Sequence, residues 1–299
     1  TATAEVVRDL GADPVLVDVD PVTLNIDPAG IRAALTARTK AIMPVHYGGL
    51  ACPMGEVLAI AQEHGLKVVE DAAHALPSTW QGTLVGQLQS DITVFSFYAN
   101  KTMTTGEGGM AVTRHADLAR RMRTMRLHGM SRDAFDRFTS TTPAWYYEVV
   151  APGFKYNLTD IAAAMGLQQL KKLPRFVARR QQLADTYRTQ LSGLPLVLPA
   201  DAPPGDVHAW HLYVIRLTEA SPLARDAVIQ ALSDRGIGTS VHYVPLHRHP
   251  YWRDRYQLTP QMFPQADAAY LSMLSIPLYT AMVDADQQRV VDALQEVLG

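Results

Sequence analysis

The chain has 299 residues, of which 47% are hydrophobic and 19% are charged, and its formal net charge is -2. This length exceeds the size at which one hydrophobic core usually stops growing, so a large domain and a smaller one are expected. The scattered charges form no basic stripe of the kind that binds nucleic acid, and no apolar run approaches the roughly 20 residues that span a bilayer. The single cysteine, Cys52, excludes an internal disulfide and a CxxC zinc site, and it favours a cytoplasmic location.

Strand and helix patterns alternate along the first half of the chain. Apolar runs predict strands over residues 14–20, 41–45, 66–71, 92–97 and 109–113. Helices are predicted over 28–37, with Asp27 as its cap, and over 54–64, with Gly65 closing it. This alternation predicts an α/β fold with a mainly parallel sheet covered by helices.

The second half begins with a long helical pattern. A helix is predicted from Asp160 to Pro174, with apolar residues on one side, and a second helix is predicted to run toward Leu191. The apolar residues of the first helix are Ile161, Met165, Leu167, Leu170 and Leu173. We place the domain boundary near Pro174, which gives a large domain over 1–174 and a small one over 175–299. A strand over 211–216 and helices over 225–235 and 284–298 predict that the small domain is α+β.

Three residues past predicted strands carry the chemistry. In an open α/β sheet, ligands bind at the carboxyl ends of the strands. Asp71 ends one strand, Ser96 lies in another, and Lys101 follows in a polar loop that leads to glycines. Taken alone, Asp71 reads as a turn or cap residue and Lys101 as a solvated surface group. Together they match the needs of pyridoxal phosphate, which are an amine for a Schiff base, a carboxylate for the pyridine nitrogen and donors for the phosphate.

Several motifs resemble one family of enzymes. They are residues 44–49 (PVHYGG), 69–75 (VEDAAHA), 95–101 (FSFYANK), 106–109 (GEGG), 153–160 (GFKYNLTD) and 236–243 (GIGTSVHY). Their order and spacing resemble the DegT/StrS family of nucleotide-sugar aminotransferases, whose members have the aspartate aminotransferase-like fold, PLP fold type I. The resemblance covers nearly the whole chain and implies that pyridoxal 5'-phosphate is the cofactor.

The resemblance also implies a role for each residue around the cofactor. Lys101 would form the Schiff base, and Asp71 would pair with the pyridine nitrogen. His74 would donate a hydrogen bond to the ring oxygen, Ala73 would lie under the ring, and Ser96 would bind the phosphate. One branch of this fold replaces the lysine with histidine and dehydrates its substrate, so Lys101 favours transamination.

The expected substrate is a nucleotide-linked keto sugar, with glutamate as the amino donor. Residues 148–158 and 208–212 (HAWHL) resemble members that aminate carbon 4 of a UDP-linked 4-keto sugar. His46, Tyr47, His242 and Tyr243 are expected to line the sugar-nucleotide cleft, with core packing as the rival interpretation for the last two.

A homodimer with shared active sites is expected, because family sites are built at a two-fold interface. In many relatives the segment that matches 153–160 reaches the phosphate of the neighbouring subunit. There those relatives have asparagine where Lys155 stands and arginine where Asn157 stands. Which of the two would reach the partner's cofactor is left open, and an ordinary loop is an equal alternative.

Other chemistry-bearing residues stay ambiguous in the sequence. The pairs His208 and His211, and His247 and His249, lack a completing carboxylate or cysteine cluster, so no metal is expected. Trp145, Tyr146 and Tyr147 would either stack on a uracil ring or cover a hydrophobic edge. One rival function is another aminotransferase of the same fold, which aminates carbon 3 of a sugar, aminates a cyclitol or forms an aromatic amine. The other is a regulatory or scaffolding protein without catalysis.

The beginning of the chain carries one further expectation. Relatives place roughly eighty residues ahead of the helix that Thr1 begins, including a Gly-Thr turn whose amides help to hold the cofactor phosphate. An aromatic group that would cover the other face of the ring is expected in the same stretch. We therefore expect the N-terminal part of the family domain to be absent from this sequence.

Overall fold

The computed structural model describes residues 1–131 and 145–299. Its helices, numbered here in chain order, are α1 (Ala2–Asp9), α2 (Pro28–Ala34), α3 (Met54–Glu63), α4 (Ala116–Met125), α5 (Asp160–Leu191), α6 (Arg225–Asp234), α7 (Pro250–Tyr256), α8 (Pro264–Ser272) and α9 (Asp284–Leu298). Its strands are β1 (Ala41–Ile42), β2 (Lys67–Asp71), β3 (Thr79–Trp80), β4 (Thr83–Leu84), β5 (Ile92–Ser96), β6 (Gly109–Val112), β7 (Leu196–Val197), β8 (Tyr213–Leu217) and β9 (Met273–Ile276).

The first sheet has the strand order β1-β2-β5-β6. β1 pairs with β2 and β2 with β5 in parallel, whereas β6 runs antiparallel to β5. The mainly parallel sheet predicted from the sequence is confirmed. Because β2 and β5 are parallel neighbours, their carboxyl ends at Asp71 and Ser96 meet at one edge of the sheet.

A first hydrophobic cluster lies between this sheet and the helices. α3 buries Met54, Val57 and Ile60, whose spacing of three residues places them on one stripe of the helix. These side chains pack in the same cluster as Val68 of β2 and Phe95 of β5. The packing fixes the two strands whose ends carry the candidate site.

A second cluster surrounds the antiparallel sheet β7-β8-β9. Its buried residues come from β8, β9, α6, α9 and the second half of α5, as the α+β prediction requires. α5 contributes Leu173 to the first cluster and Leu183, Tyr187 and Leu191 to the second. The domain boundary near Pro174 stays a prediction.

The predicted strand over 14–20 is wrong. Val15 is 68% exposed, and the segment pairs only through an isolated bridge between Val19 and Ile26. The Asp18 carboxylate instead accepts hydrogen bonds from the backbone N–H groups of Gln265 and Ala266 at the start of α8, both at 2.9 Å. The apolar run is therefore an extended connection that is tied to the C-terminal part of the chain.

α5 is one continuous helix through Pro174, where two helices were predicted. A proline usually breaks a helix because it removes a hydrogen bond and crowds the preceding turn. Here buried residues on both sides, Leu173 and Leu183, belong to different clusters and hold the two halves in place. The expected apolar side is also wrong, since only Leu173 of the five residues is buried, while Ile161, Met165, Leu167 and Leu170 are exposed.

Smaller differences concern the ends of elements. The Asp27 cap is confirmed, because its carboxylate accepts hydrogen bonds from Ala29 and Gly30, but α2 ends three residues earlier than predicted. β1 ends ahead of Pro44, which has no N–H to donate to a sheet. The patterns did not predict α4, α7, α8 or β9.

Candidate active site

The site lies where the ends of β2 and β5 meet. Lys101 follows β5 by five residues and is partly buried, close to the Asp71 carboxylate. Burial lowers the pKa of Lys101, and the charge of Asp71 opposes this shift only in part. Within residues 1–131 and 145–299, no side chain forms a hydrogen bond with the Lys101 amine. The amine is therefore free to react, and its neutral form is favoured relative to an exposed lysine.

The Asp71 carboxylate is held by two donors. Its Oδ1 accepts a hydrogen bond from the backbone N–H of Ala73 at 3.0 Å. Its Oδ2 accepts one from the hydroxyl of Thr3 at 2.7 Å, across 68 residues of sequence. Thr3 had no role in the sequence analysis, since a threonine in a short helix gives no pattern that points to a distant strand end.

His74 lies beside this pair as a neutral ring. It is buried, and its Nδ1 accepts a hydrogen bond of 3.3 Å from the backbone N–H of Gly48. Burial, together with the charges of Lys101 and His242, lowers the pKa of His74 to about 3. The neutral ring carries its proton on Nε2, which lies 3.4 Å from the hydroxyl of Tyr243.

His211 packs directly against His74, with the two ring centroids 4.3 Å apart. Burial is also the main cause that lowers the pKa of His211, so this ring is neutral as well. Its Nδ1 is buried and has no hydrogen-bond partner among the described residues. The sequence placed His211 in a motif of the resemblance and in a possible metal pair, but nothing in the sequence indicates that it stacks on His74.

Gly49 permits this close approach of two segments. Its φ is +104°, and a Cβ there would lie 3.0 Å from the backbone nitrogens of Trp210 and His211. Arg180 of α5 fastens the same segment by donating to the carbonyl oxygen of Trp210 at 2.8 Å. The histidine pair is thus fixed from the backbone side.

The loop that follows α6 closes one side of the site. The Tyr47 hydroxyl donates to the carbonyl oxygen of His242 at 2.5 Å, and the His242 ring contacts the Ser275 hydroxyl at 2.8 Å. Burial and the charge of Asp71 raise the pKa of Tyr243, whose side chain is 55% exposed. Three of the predicted cleft residues, Tyr47, His242 and Tyr243, therefore lie beside His74 and Asp71.

His46, the fourth predicted cleft residue, is completely buried instead. Its Nε2 donates to Glu70 at 2.8 Å, and its Nδ1 accepts from the backbone N–H of Cys52 at 2.9 Å. Burial raises the pKa of Glu70, but hydrogen bonds from His46, Ser90 and Thr93 outweigh it and lower the pKa overall. His46 exposes no surface to a substrate, and its hydrogen bond to Glu70 supports the end of β2.

Ser96, Lys155 and Asn157 form hydrogen bonds with their own neighbours in the chain. Ser96 is partly buried, and its hydroxyl accepts a hydrogen bond of 3.3 Å from the backbone N–H of Tyr98. The Lys155 amine donates to the Asn157 side-chain oxygen at 2.5 Å, and Lys155 is exposed. In the part of the chain that the structure describes, neither forms a hydrogen bond with Asp71, His74 or Lys101.

The other histidines and aromatic residues have separate surroundings. His247 pairs with Asp267 at 2.9 Å, and His208 accepts the N–H of Trp210 at 2.8 Å. Trp145 and Tyr146 are exposed, and the choice between ring stacking and edge covering stays open. The described residues contain no group of three potential metal ligands. Within that same part of the chain, no helix has the length and apolar character needed to cross a membrane.

The site fits pyridoxal phosphate. The amine of Lys101, which has no hydrogen-bond partner among the described residues, the carboxylate of Asp71 and the Nε2–H of His74 converge on one place. Ala72 and Ala73 follow Asp71 and keep side-chain volume low where a flat ring would approach the backbone.

Comparisons with known proteins agree with this chemistry. The DegT/DnrJ/EryC1/StrS aminotransferase family matches residues 1–295. The spore coat polysaccharide biosynthesis protein SpsC of Bacillus subtilis is 44% identical over 300 residues, which cover 100% of this chain and 77% of that protein.

Solved structures give the same result at the level of the fold. The putative sugar aminotransferase Spr1654 from Streptococcus pneumoniae, in its PMP form, is 30% identical with a TM-score of 0.91, covering 99% of this chain and 79% of that one. Helicobacter pylori PseC, an aminotransferase involved in the biosynthesis of pseudoaminic acid, is 28% identical with a TM-score of 0.91, covering 99% and 76%. The chain therefore belongs to the DegT/DnrJ/EryC1/StrS aminotransferase family and is a sugar aminotransferase that uses pyridoxal phosphate.

Proposed function

We propose that this enzyme transfers the amino group of glutamate to the keto carbon at position 4 of a nucleotide-linked sugar. The observation that carries the proposal is the unpaired amine of Lys101 beside the Asp71 carboxylate. A lysine with a lowered pKa next to a carboxylate, at the carboxyl ends of parallel strands, supports amine chemistry on a bound cofactor.

Each residue of the site has a distinct task in this proposal. Lys101 would hold the cofactor through its amine, and the same amine would carry a proton at the reacting carbon. Asp71 keeps the ring nitrogen protonated. His74 donates its Nε2–H to the ring oxygen, because its Nδ1 is already occupied by Gly48. Pyridoxal phosphate supplies the carbonyl group that accepts the amine and a ring that withdraws electrons.

The phosphate and substrate sides involve other residues. Ser96 would bind the phosphate through its hydroxyl, and Ala73 would lie under the ring. Tyr243 and His242 line the opening beside His74, so they are the candidates for contact with the sugar nucleotide. Tyr47 acts through His242, whose carbonyl oxygen it holds at 2.5 Å.

The choice of carbon 4 and of glutamate has its support in the sequence. Residues 148–158 and 208–212 resemble family members with that specificity. The structure gives the second segment a position next to the site, since His211 stacks on His74. The similarity to SpsC supports a place in polysaccharide biosynthesis.

We also propose a homodimer in which Lys155 or Asn157 approaches the partner's cofactor. The support is a set of exposed apolar side chains along residues 149–165. They are Val149, Val150, Phe154, Tyr156, Ile161 and Met165. Several exposed apolar side chains in one segment are typical of a protein interface.

The function is tested by a donor and acceptor screen. The purified protein loaded with pyridoxal phosphate is mixed with glutamate, glutamine or alanine and with 4-keto and 3-keto nucleotide sugars. We expect 2-oxoglutarate and a 4-amino sugar nucleotide, seen by mass spectrometry, as the fastest products. Faster amination of a 3-keto sugar, or faster use of another donor, would contradict the corresponding part of the proposal.

A further inference from the structure

Thr3 makes the one side-chain hydrogen bond that the described residues offer to the Asp71 carboxylate. The hydroxyl donates to Oδ2 at 2.7 Å, while the backbone N–H of Ala73 takes Oδ1 at 3.0 Å. Both oxygens are therefore oriented before any ligand is bound. A carboxylate terminal torsion is otherwise broad, so two donors at different oxygens restrict its rotation.

The position of Thr3 is itself fixed. Thr3 is the second residue of α1, and the next residue, Ala4, is buried in a cluster with Trp252 and Phe263. The first turn of a helix also carries a partial positive charge, which favours an anion beside it. The hydroxyl is thus presented from a rigid element and in a suitable electrostatic environment.

Charged and hydrogen-bonding groups surround the Asp71 carboxylate. Lys101 interacts with Asp71 through its charge, and Thr3 and Ala73 donate hydrogen bonds to it. Tyr243 also lies close enough to interact with the Asp71 charge. An oriented carboxylate is what a protonated pyridine nitrogen requires as its partner.

We infer that Thr3 is a positioning residue that holds the Asp71 carboxylate aimed at the ring nitrogen of pyridoxal phosphate. This inference rests on the proposed role of Asp71. Without the hydroxyl, the carboxylate gains rotational freedom, and the proton on the ring nitrogen loses an oriented acceptor.

The test compares Thr3→Val, which removes the hydroxyl at nearly constant shape, with Thr3→Ser, which keeps it. Each holoenzyme is loaded with pyridoxal phosphate labelled with nitrogen-15 in the ring. In Thr3→Val we expect the nitrogen-15 signal to move toward that of an unprotonated ring and the cofactor to bind about tenfold more weakly. Thr3→Ser should restore both readouts to those of the unsubstituted protein.

Thr23→Val is the matched control, since the Thr23 hydroxyl donates to Asp20 at 2.9 Å in a turn elsewhere. The change in its melting temperature shows how much stability is lost with a threonine–aspartate hydrogen bond away from the site. Its nitrogen-15 signal should stay at the position of the unsubstituted protein. Asp71→Asn separates the two levels of the argument. If Asp71→Asn shifts the signal and Thr3→Val does not, the inference about Thr3 is wrong. If neither substitution shifts it, the proposed role of Asp71 fails first.

Discussion

The backbone N–H of Gly48 donates to Nδ1 of His74, and this bond determines which nitrogen of the ring carries the proton. Because burial holds the pKa of His74 near 3, the ring is neutral at physiological pH with its proton on Nε2. A single backbone contact thereby makes His74 a hydrogen-bond donor toward the site. Because the pKa of His74 lies far below neutrality, the ring stays neutral across ordinary changes of pH.

We expect His74→Gln to keep cofactor affinity within a few-fold and His74→Asn to lower it about tenfold. The amide of glutamine can place a donor near the position of Nε2, whereas the shorter asparagine reaches only the position of Nδ1. Titration with pyridoxal phosphate, followed by its visible absorbance, measures both constants. Equal losses in the two variants would show that the Nε2–H does not contact the cofactor.

Lys101→Ala should abolish the covalent link to the cofactor and lower the rate of amino transfer by about 10²–10⁴-fold, because it removes both an anchor and a proton carrier. Its melting temperature without cofactor should stay close to that of the unsubstituted protein, since the described residues form no hydrogen bond with the amine. Borohydride reduction and peptide mapping identify the linked lysine. A pyridoxyl group on Lys67 or Lys155 would contradict the assignment, and Lys67→Ala is the control.

The sequence indicated that Asp71 and Lys101 lie close together because of the sheet topology. Asp71 ends β2 and Lys101 follows β5, and the ends of neighbouring parallel strands meet wherever the sheet forms. Thr3 and His211 could not be found in this way, since they reach the site through tertiary contacts that have no periodic signal. The same limit explains residues 14–20, where an apolar run predicted a strand but packing produced a connection.

His46 shows a further limit of motif reasoning. Its motif placed it in the cleft, together with Tyr47, but adjacent residues in an irregular turn point in different directions. Tyr47 reaches His242 at the site, whereas His46 turns inward to Glu70. The three-dimensional structure is needed to distinguish a residue that faces the site from one that supports the strand.

Glu70→Gln should destabilise the fold by about 2–4 kcal/mol, because it removes a buried charge that accepts three hydrogen bonds. The amide would turn an N–H group toward a donor from His46 or from a hydroxyl. Chemical denaturation of both proteins without cofactor gives the difference. Glu63→Gln, at an exposed ion pair with Arg32, is the control and should change little.

Ile161→Asp combined with Met165→Asp should convert the protein to monomers and reduce amino transfer. The two side chains lie one helical turn apart on α5 and are 84% and 42% exposed. Charged groups there would have to be buried without partners in a dimer. Sedimentation at several concentrations tests the prediction, with exposed Val22→Asp as the control. A double variant that stays dimeric would place the interface elsewhere.

His208→Asn should weaken the dependence of stability on acid. His208 is buried and stacks on Trp210, and burial, aided by the charge of Arg188, lowers its pKa from 6.5 to about 3. Between those two pH values His208 is protonated in the unfolded chain but neutral in the folded chain. Its contribution to stability therefore falls as the pH drops from 6.5 toward 3. At about pH 7.5 the variant should be less stable than the unsubstituted protein, because it loses the packing of the imidazole ring. Because asparagine does not titrate, this difference in the free energy of unfolding should become smaller as the pH is lowered. Denaturation midpoints at about pH 7.5, above the window, and at about pH 6, 5 and 4, within it, measure this difference in stability. His64→Asn at an exposed helix end should run parallel to the unsubstituted protein, and a constant gap for His208→Asn would mean that His208 is not held neutral in the fold.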